Sequence, residues 1–255
     1  MRVSTAKVWP RRWSPARVLR RLKQSSGGQA GDGREQALAE YVLASTAPGD
    51  LDAVISAIDQ FAYERAFLIN VGDEKGAILD AAICAAHPAR VLELGTYCGY
   101  SALRIVRVMP PGARLWSIEQ DAANAVIAAQ IWRHAGVADR VSCVVGALGD
   151  GGRTVERLAG EHGFASSSLD FVFLDHAKDQ YLPDLRRILD RDWLHPGSVV
   201  VADNIKAPGA PAYHAYMREH ESIHWRTTEH PAHLEYQPEI LDLVLESEYL
   251  GAATP

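Results

Sequence analysis

The chain has 255 residues, 47% of them hydrophobic and 23% charged, which is the mixture of a soluble globular protein and excludes disorder throughout. Such a length buries enough surface for one sizeable core without metal or disulfide staples, and no apolar run approaches the ~20 residues of a membrane-spanning helix. The net charge of −6 hides an asymmetry, because residues 1–24 carry eight Lys or Arg and no acid, leaving 18 basic against 32 acidic residues elsewhere; an acidic body of this kind makes nucleic acid a poor partner.

The basic arm interleaves Trp9 and Trp13 with arginines and places Val18, Leu19 and Leu22 at helical spacing. That pattern allows weak contact with an anionic membrane surface, although a solvated tail is the plainer expectation. Arg11-Arg12 has the form of a twin-arginine export signal but lacks the apolar segment that must follow. With no signal peptide in view, a cytoplasmic location is expected. Cys84, Cys98 and Cys143 are far apart and form no C-x-x-C pair, so neither a disulfide framework nor a thiolate zinc site is indicated. The Gly-rich stretch 24–33 reads as a linker, which makes 1–33 an extension and 34–255 the folded domain.

Helical periodicity covers residues 34–45, then 50–66 with Asp50 as a cap, then 72–86. After residue 88 short apolar runs alternate with amphipathic segments. RVLEL (90–94), RLWSIE (114–119), VSCVVG (141–146), LDFVFLD (169–175) and SVVVAD (198–203) have the continuous apolar character of strands buried on both faces. Strand and helix in succession predict a doubly wound, parallel α/β sheet. ESIHWRTTEH and EILDLVLES, near the end, predict two more strands forming an antiparallel hairpin at one edge.

In such a sheet, ligands bind beyond the carboxyl ends of the strands. The first strand ends in Glu93-Leu94-Gly95-Thr96-Tyr97-Cys98-Gly99-Tyr100-Ser101, where glycines permit a tight turn and close approach to a ligand. Its G-x-x-x-G spacing differs from the G-x-G-x-x-G of a dinucleotide site, which weighs against a nicotinamide oxidoreductase. Glu119, ending the second strand, is placed to accept hydrogen bonds from both hydroxyls of a ribose. Together these predict a nucleoside cofactor.

The fourth strand ends in Asp175-His176-Ala177-Lys178 and the fifth in Asp203-Asn204. Adjacent parallel strands would gather Asp175, Asp203 and Asn204 as hard oxygen ligands suited to Mg2+, whereas any one Asp at a strand end would merely cap the next helix. Lys178 would act as a general base toward a hydroxyl at the metal, since a neighbouring dication disfavours a second positive charge. His220-Glu221-Ser222-Ile223-His224 matches H-E-x-x-H, but that motif needs both His on one helix face and this stretch is strand-like, so zinc chemistry is set aside. Cys98 lacks an evident base and reads as a packed thiol.

The segments GDGREQALAEYVL, AIDQFAYERAFLINVGDEKGAILD, RVLELGTYCGYSALR, SIEQD, DFVFLDHAKDQYLPD, VVVADNIKAPGAP and HLEYQPEILDLVL are similar to those of the catechol O-methyltransferase family. The resemblance spans roughly residues 31–250. It implies a class I methyltransferase fold, a Rossmann-like seven-stranded sheet with its last strand antiparallel and N-terminal helices. It also implies S-adenosylmethionine (SAM) and Mg2+ as cofactors and a catechol-like vicinal diol as small-molecule substrate. By position in the matching motifs, Val71, Glu93, Gly95, Tyr97 and Ser101 would line the methionine side. Glu119 would take the ribose, with Gln120, Ala147, Asp175 and His176 bordering the cofactor. Asp175, Asp203 and Asn204 match the metal ligands, Lys178 the base, Glu235 the carboxylate holding the second hydroxyl, and Pro208 a hydrophobic gatekeeper. Four positions depart from the family: its two tryptophans are Phe67 and Ala177, its Met is Ile69, and a Ser is Leu148. A roomier ring pocket is expected. The competing expectation from another class is a non-catalytic SAM-binding or interaction protein.

Overall fold

The computed structural model describes residues 32–251, and the basic arm and most of the expected linker lie outside the described residues. Three helices come first: α1 (Arg34–Ser45), α2 (Leu51–Glu64) and α3 (Gly72–Ala86). α2 starts at Leu51 because the Asp50 carboxylate accepts the Ala53 N–H at 3.0 Å, satisfying one of the donors a helix start leaves open.

Strands and helices then alternate as β1 (Arg90–Leu94), α4 (Tyr100–Val108), β2 (Arg114–Glu119), α5 (Ala122–His134), β3 (Val141–Val145), α6 (Arg153–His162) and β4 (Leu169–Leu174). A 3-10 turn (Lys178–Gln180), α7 (Tyr181–Asp190), β5 (Leu194–Ala202), a wide turn (Ile205–Gly209), α8 (Pro211–Glu219), β6 (Trp225–Leu234) and β7 (Gln237–Tyr249) complete the described chain. The sheet order is β3-β2-β1-β4-β5-β7-β6. β1 to β5 pair in parallel, and β7 runs antiparallel between β5 and β6. The expected doubly wound, seven-stranded architecture with an antiparallel last strand is what forms.

Period-two side-chain alternation explains the uninterrupted apolar strands. Val91, Leu115, Phe171, Phe173 and Val201 pack under α1 to α5, whereas Leu92, Trp116, Val172, Val200 and Leu245 face α6, α7 and α8. Both faces of the sheet are covered, so neither set can be polar.

Two boundaries differ from expectation. β5 starts at Leu194, which pairs with Leu169 before the register shifts and resumes at Val199 opposite Phe171; the irregularity takes up Pro196, which has no N–H to give a ladder. β6 starts only at Trp225, because residues 221–224 form a turn in which Ser222 is left-handed at φ 62. The H-E-x-x-H histidines therefore flank a turn, with His220 Nδ1 on Tyr216 O at 2.8 Å and His224 Nδ1 on Gly251 O at 3.1 Å. No helix among the described residues is long and apolar enough to cross a membrane.

Asp59 ties three elements together. On α2, its carboxylate accepts the hydroxyls of Tyr100 at 2.7 Å and Tyr236 at 2.9 Å, joining the first turn of α4 and the β6–β7 turn. Burial pushes its carboxyl from 3.8 up to about 6, against the opposing pull of the two hydroxyls. The folded chain thus holds this proton more tightly than the unfolded chain, and the associated stability, full below 3.8, is lost as pH rises through about 6. Asp59→Asn should gain on the wild type across that window in denaturant midpoint, and two pH profiles that run parallel would show that Asp59 titrates normally.

Candidate active site

A cavity of about 710 Å³ opens at the carboxyl ends of the parallel strands, a size in the range of small-molecule sites. Gly95, Tyr97, Ser101, Glu119, Gln120, Ala147, Asp175 and His176 line it, as do Lys178, Asn204, Pro208 and Glu235. Val71, Glu93 and Asp203 do not line it; they are buried at 1%, 0% and 0% exposure.

The β1 end is built around two carboxylates. Glu119 Oε2 accepts the Tyr97 N–H and Oε1 accepts the Asp121 N–H, both at 2.8 Å, so its orientation toward the cavity is set by backbone on either side. Glu93 lies beneath the wall, receiving the hydroxyls of Ser101 and Ser117. Burial, only partly opposed by those serines, pushes its carboxyl up to about 8. Gly95 has φ 102, and a Cβ there would meet the Asp175 carbonyl oxygen at 2.4 Å. The close approach this glycine permits is therefore of β1 to β4, backbone to backbone. Tyr97 OH donates to Glu35 Oε1 of α1 at 2.9 Å. Cys98 is 1% exposed and burial pushes its thiol well up, so it carries no thiolate at neutral pH.

β4 and β5 pair with Leu174 opposite Ala202, and the Asp203 N–H donates to Leu174 O at 3.0 Å. Parallel register thus sets Asp175 beside Asp203. Lys178 Nζ reaches Asp175 Oδ1 at 2.8 Å and the Tyr181 hydroxyl at 2.7 Å, and that hydroxyl donates to Asp203 O at 3.1 Å. Asn204 is left-handed at φ 55, a conformation Asn accepts more readily than most residues. Its Nδ2 donates to Glu235 Oε1 at 2.6 Å and Asp242 Oδ2 at 2.9 Å, leaving Oδ1 available elsewhere.

A fully buried lysine completes the cluster. Lys75 Nζ lies 2.8 Å from Asp203 Oδ1, 2.6 Å from Glu235 Oε1 and 2.9 Å from Asp242 Oδ2. Burial works against its charge, but Asp203, Glu235 and Asp242 outweigh that and hold the ammonium well above the ordinary lysine value. Burial likewise pushes Asp203 up, reinforced by Asp175, Glu235 and Asp242 against the pull of Lys75. Asp242, also penalised by burial, is drawn below its ordinary value by Lys75.

This donor set fits a divalent cation. Four carboxyl groups (Asp175, Asp203, Glu235, Asp242) gather around two lysines (Lys75, Lys178), so acids outnumber bases here. Both Asp203 oxygens and Glu235 Oε2 are buried with no hydrogen-bond partner among the described residues, and only Asp203 Oδ1 has an ion contact, with Lys75, an arrangement costly unless something positive completes it. Two carboxylates and an amide oxygen are the hard ligands Mg2+ takes.

Phe67 is buried against Ala207 and Leu234, with Ile69 beside them; Ile69 and Ala177 line the cavity directly. Leu148 also lines it. Lys75, Tyr181, Asp242 and Glu35 were not legible as site residues. For Lys75 a signal existed: it shares a helical face with Leu79, Ala82 and Ile83, all buried, and a lysine on an apolar stripe needs a buried partner.

Residues 50–223 match the O-methyltransferase family model. Over 224 residues, 88% of this chain and 95% of the relative, the chain is 63% identical to a probable O-methyltransferase of Mycobacterium tuberculosis. It is 45% identical to catechol O-methyltransferase B of Danio rerio over 80% of this chain and 74% of the relative. Among solved structures, the O-methyltransferase TomG of Streptomyces achromogenes in complex with SAM superposes with a TM-score of 0.62 at 23% identity, covering 88% of this chain and 100% of that one. The chain belongs to the O-methyltransferase family, in its class I branch related to catechol O-methyltransferases. It is an O-methyltransferase.

Proposed function

We propose that the chain transfers a methyl group from SAM to one hydroxyl of a catechol-like vicinal diol, with Mg2+ bound at Asp175, Asp203 and Asn204. The observation that carries this is one cavity lined by Glu119 and by Lys178, Asn204 and Glu235, with buried carboxylate oxygens nearby that lack hydrogen-bond partners among the described residues. The similarity to catechol O-methyltransferases and the SAM complex of a protein of the same fold support the choice of ligands.

When bound, SAM supplies an electrophilic methyl on a sulfonium, and the metal supplies charge that favours the ionised phenol. The chain does the rest. Glu119, held by two backbone donors, accepts the ribose hydroxyls; Ser101, Gly95 and Tyr97 shape the methionine side, with Glu93 and Val71 behind them; Gln120, Ala147 and His176 border the nucleoside. Glu235 accepts the hydrogen bond of the hydroxyl that is kept. Lys178 Nζ takes the proton of the hydroxyl that is methylated, and Tyr181 and Asp175 keep that nitrogen in place. What the chain itself would add to the reaction is mainly orientation of the two reactants and exclusion of water from the cavity.

With Ala177 in place of a bulkier wall, the ring site accepts larger catechols. Comparable turnover of small and bulky catechols is expected; strict preference for the smallest would refute a widened pocket.

Activity should vanish on exhaustive chelation and return with Mg2+; methylation of a catechol that persists in excess EDTA would end the metal assignment. Lys178→Ala should lower turnover on the order of 100-fold or more with SAM affinity nearly unchanged, while Glu119→Ala should weaken SAM binding and spare turnover at saturation. Reversal of those two effects, in steady-state kinetics and calorimetry, would exchange the roles.

A further inference from the structure

Lys75 stands in the first turn of α3, yet its side chain is 0% exposed. Its ammonium fills a space that a metal ion could occupy, since Asp203, Glu235 and Asp242 each offer an oxygen there, all within 4.8 Å of one another. An ammonium is compact and has three donors and no acceptor. It donates to Glu235 Oε1 and Asp242 Oδ2 and makes an ion contact with Asp203 Oδ1.

The remaining oxygens of those three carboxylates divide by use. Asp242 Oδ1 accepts the N–H groups of Lys206 at 3.1 Å and Ala207 at 3.0 Å, so it is committed to the turn that carries Pro208. Asp203 Oδ2 and Glu235 Oε2 are buried with no hydrogen-bond partner among the described residues. Lys75 therefore engages one oxygen of each carboxylate assigned above to metal and substrate and leaves the second oxygen of each uncommitted. Asn204 Nδ2 reinforces the arrangement by donating to Glu235 Oε1 and Asp242 Oδ2, the atoms Lys75 also uses.

We propose that Lys75 is a positioning residue for the reaction: its fixed ammonium takes the inner cation place among Asp203, Glu235 and Asp242, so that a single divalent ion binds outside it and Asp203 and Glu235 each present one oxygen. This rests on the metal and diol assignment of the preceding subsection. Without Lys75, the three carboxylates repel one another in a place sealed from water. Asp203 and Glu235 then lose the orientation that metal and diol binding require. The ammonium of Lys75 contacts Asp203, Glu235 and Asp242, whereas Glu119 is held by the Tyr97 and Asp121 N–H groups, so SAM affinity serves as the control.

Isothermal titration of Mg2+ into the full chain, with neither SAM nor diol present, tests this on wild type and Lys75→Met. The variant should bind Mg2+ 10–100-fold more weakly, the range found when a group orienting a metal ligand is removed. Its KM for catechol should rise while its SAM dissociation constant stays unchanged. In Lys75→Ala, added methylammonium should restore part of the Mg2+ affinity where equal sodium does not. Equal Mg2+ affinity in wild type and Lys75→Met would overturn the role of Lys75 alone. Absence of Mg2+ binding by the wild type would overturn the metal assignment and this inference with it. If Lys75→Met fails to retain SAM binding, Asp242→Asn, which turns an amide donor toward the ammonium, replaces it with the same expected weakening and the same overturning result.

Discussion

An ammonium buried among carboxylates constrains how the parts of this chain can come together. Lys75 brings α3, the residue after β5, the β6–β7 turn and β7 to one point through contacts of 2.6 to 2.9 Å. Withdrawing each ion from water costs several kcal/mol, and mutual attraction offsets this only when every partner is in place. Removal of one partner from such a cluster typically costs about 3–5 kcal/mol. The antiparallel hairpin is thereby held to the parallel sheet by more than strand pairing, and Glu235 cannot drift from Asp203 without exposing an unpaired charge.

The second constraint is the reversal of strand order between β1 and β4, with β2 and β3 on one side and β5 on the other. Helices leave in opposite directions from that line and open a crevice above it. Gly95 lets β1 pass against the Asp175 carbonyl at a distance no side chain tolerates, which draws the ends of β1 and β4 together at the cavity. Tyr181 extends the same economy: its one hydroxyl receives Lys178 and donates to the Asp203 carbonyl, coupling Lys178 to the end of β5.

Charge bears on which ligands suit the cavity. Acids outnumber bases at the strand ends, which favours a cation there, and Phe67, Ala207 and Leu234 form an apolar cluster. Water excluded there strengthens every remaining electrostatic interaction. The N-terminal helices take part as well, through Glu35 on Tyr97 and Asp59 on Tyr100 and Tyr236.

Local chemistry along the chain determined much of this protein. Five apolar runs without alternation required a sheet covered on both faces, Asp50 required a helix start, and Asp175, Lys178, Asp203 and Asn204 at strand ends required a polar site on one edge, because period and capping act over a few residues. Lys75 and Asp242 were decided only by tertiary structure, since their partners lie from 35 to 167 positions away, and a lone charge in an amphipathic segment looks solvated until its neighbours are known. The same holds for the turn at 221–224, where strand-like residues yield to the end of α8, and for Gly95, whose need for a bare Cα comes from a carbonyl on another strand. Short-range patterns carry element type; which charges are buried together depends on distances that only the assembled fold sets.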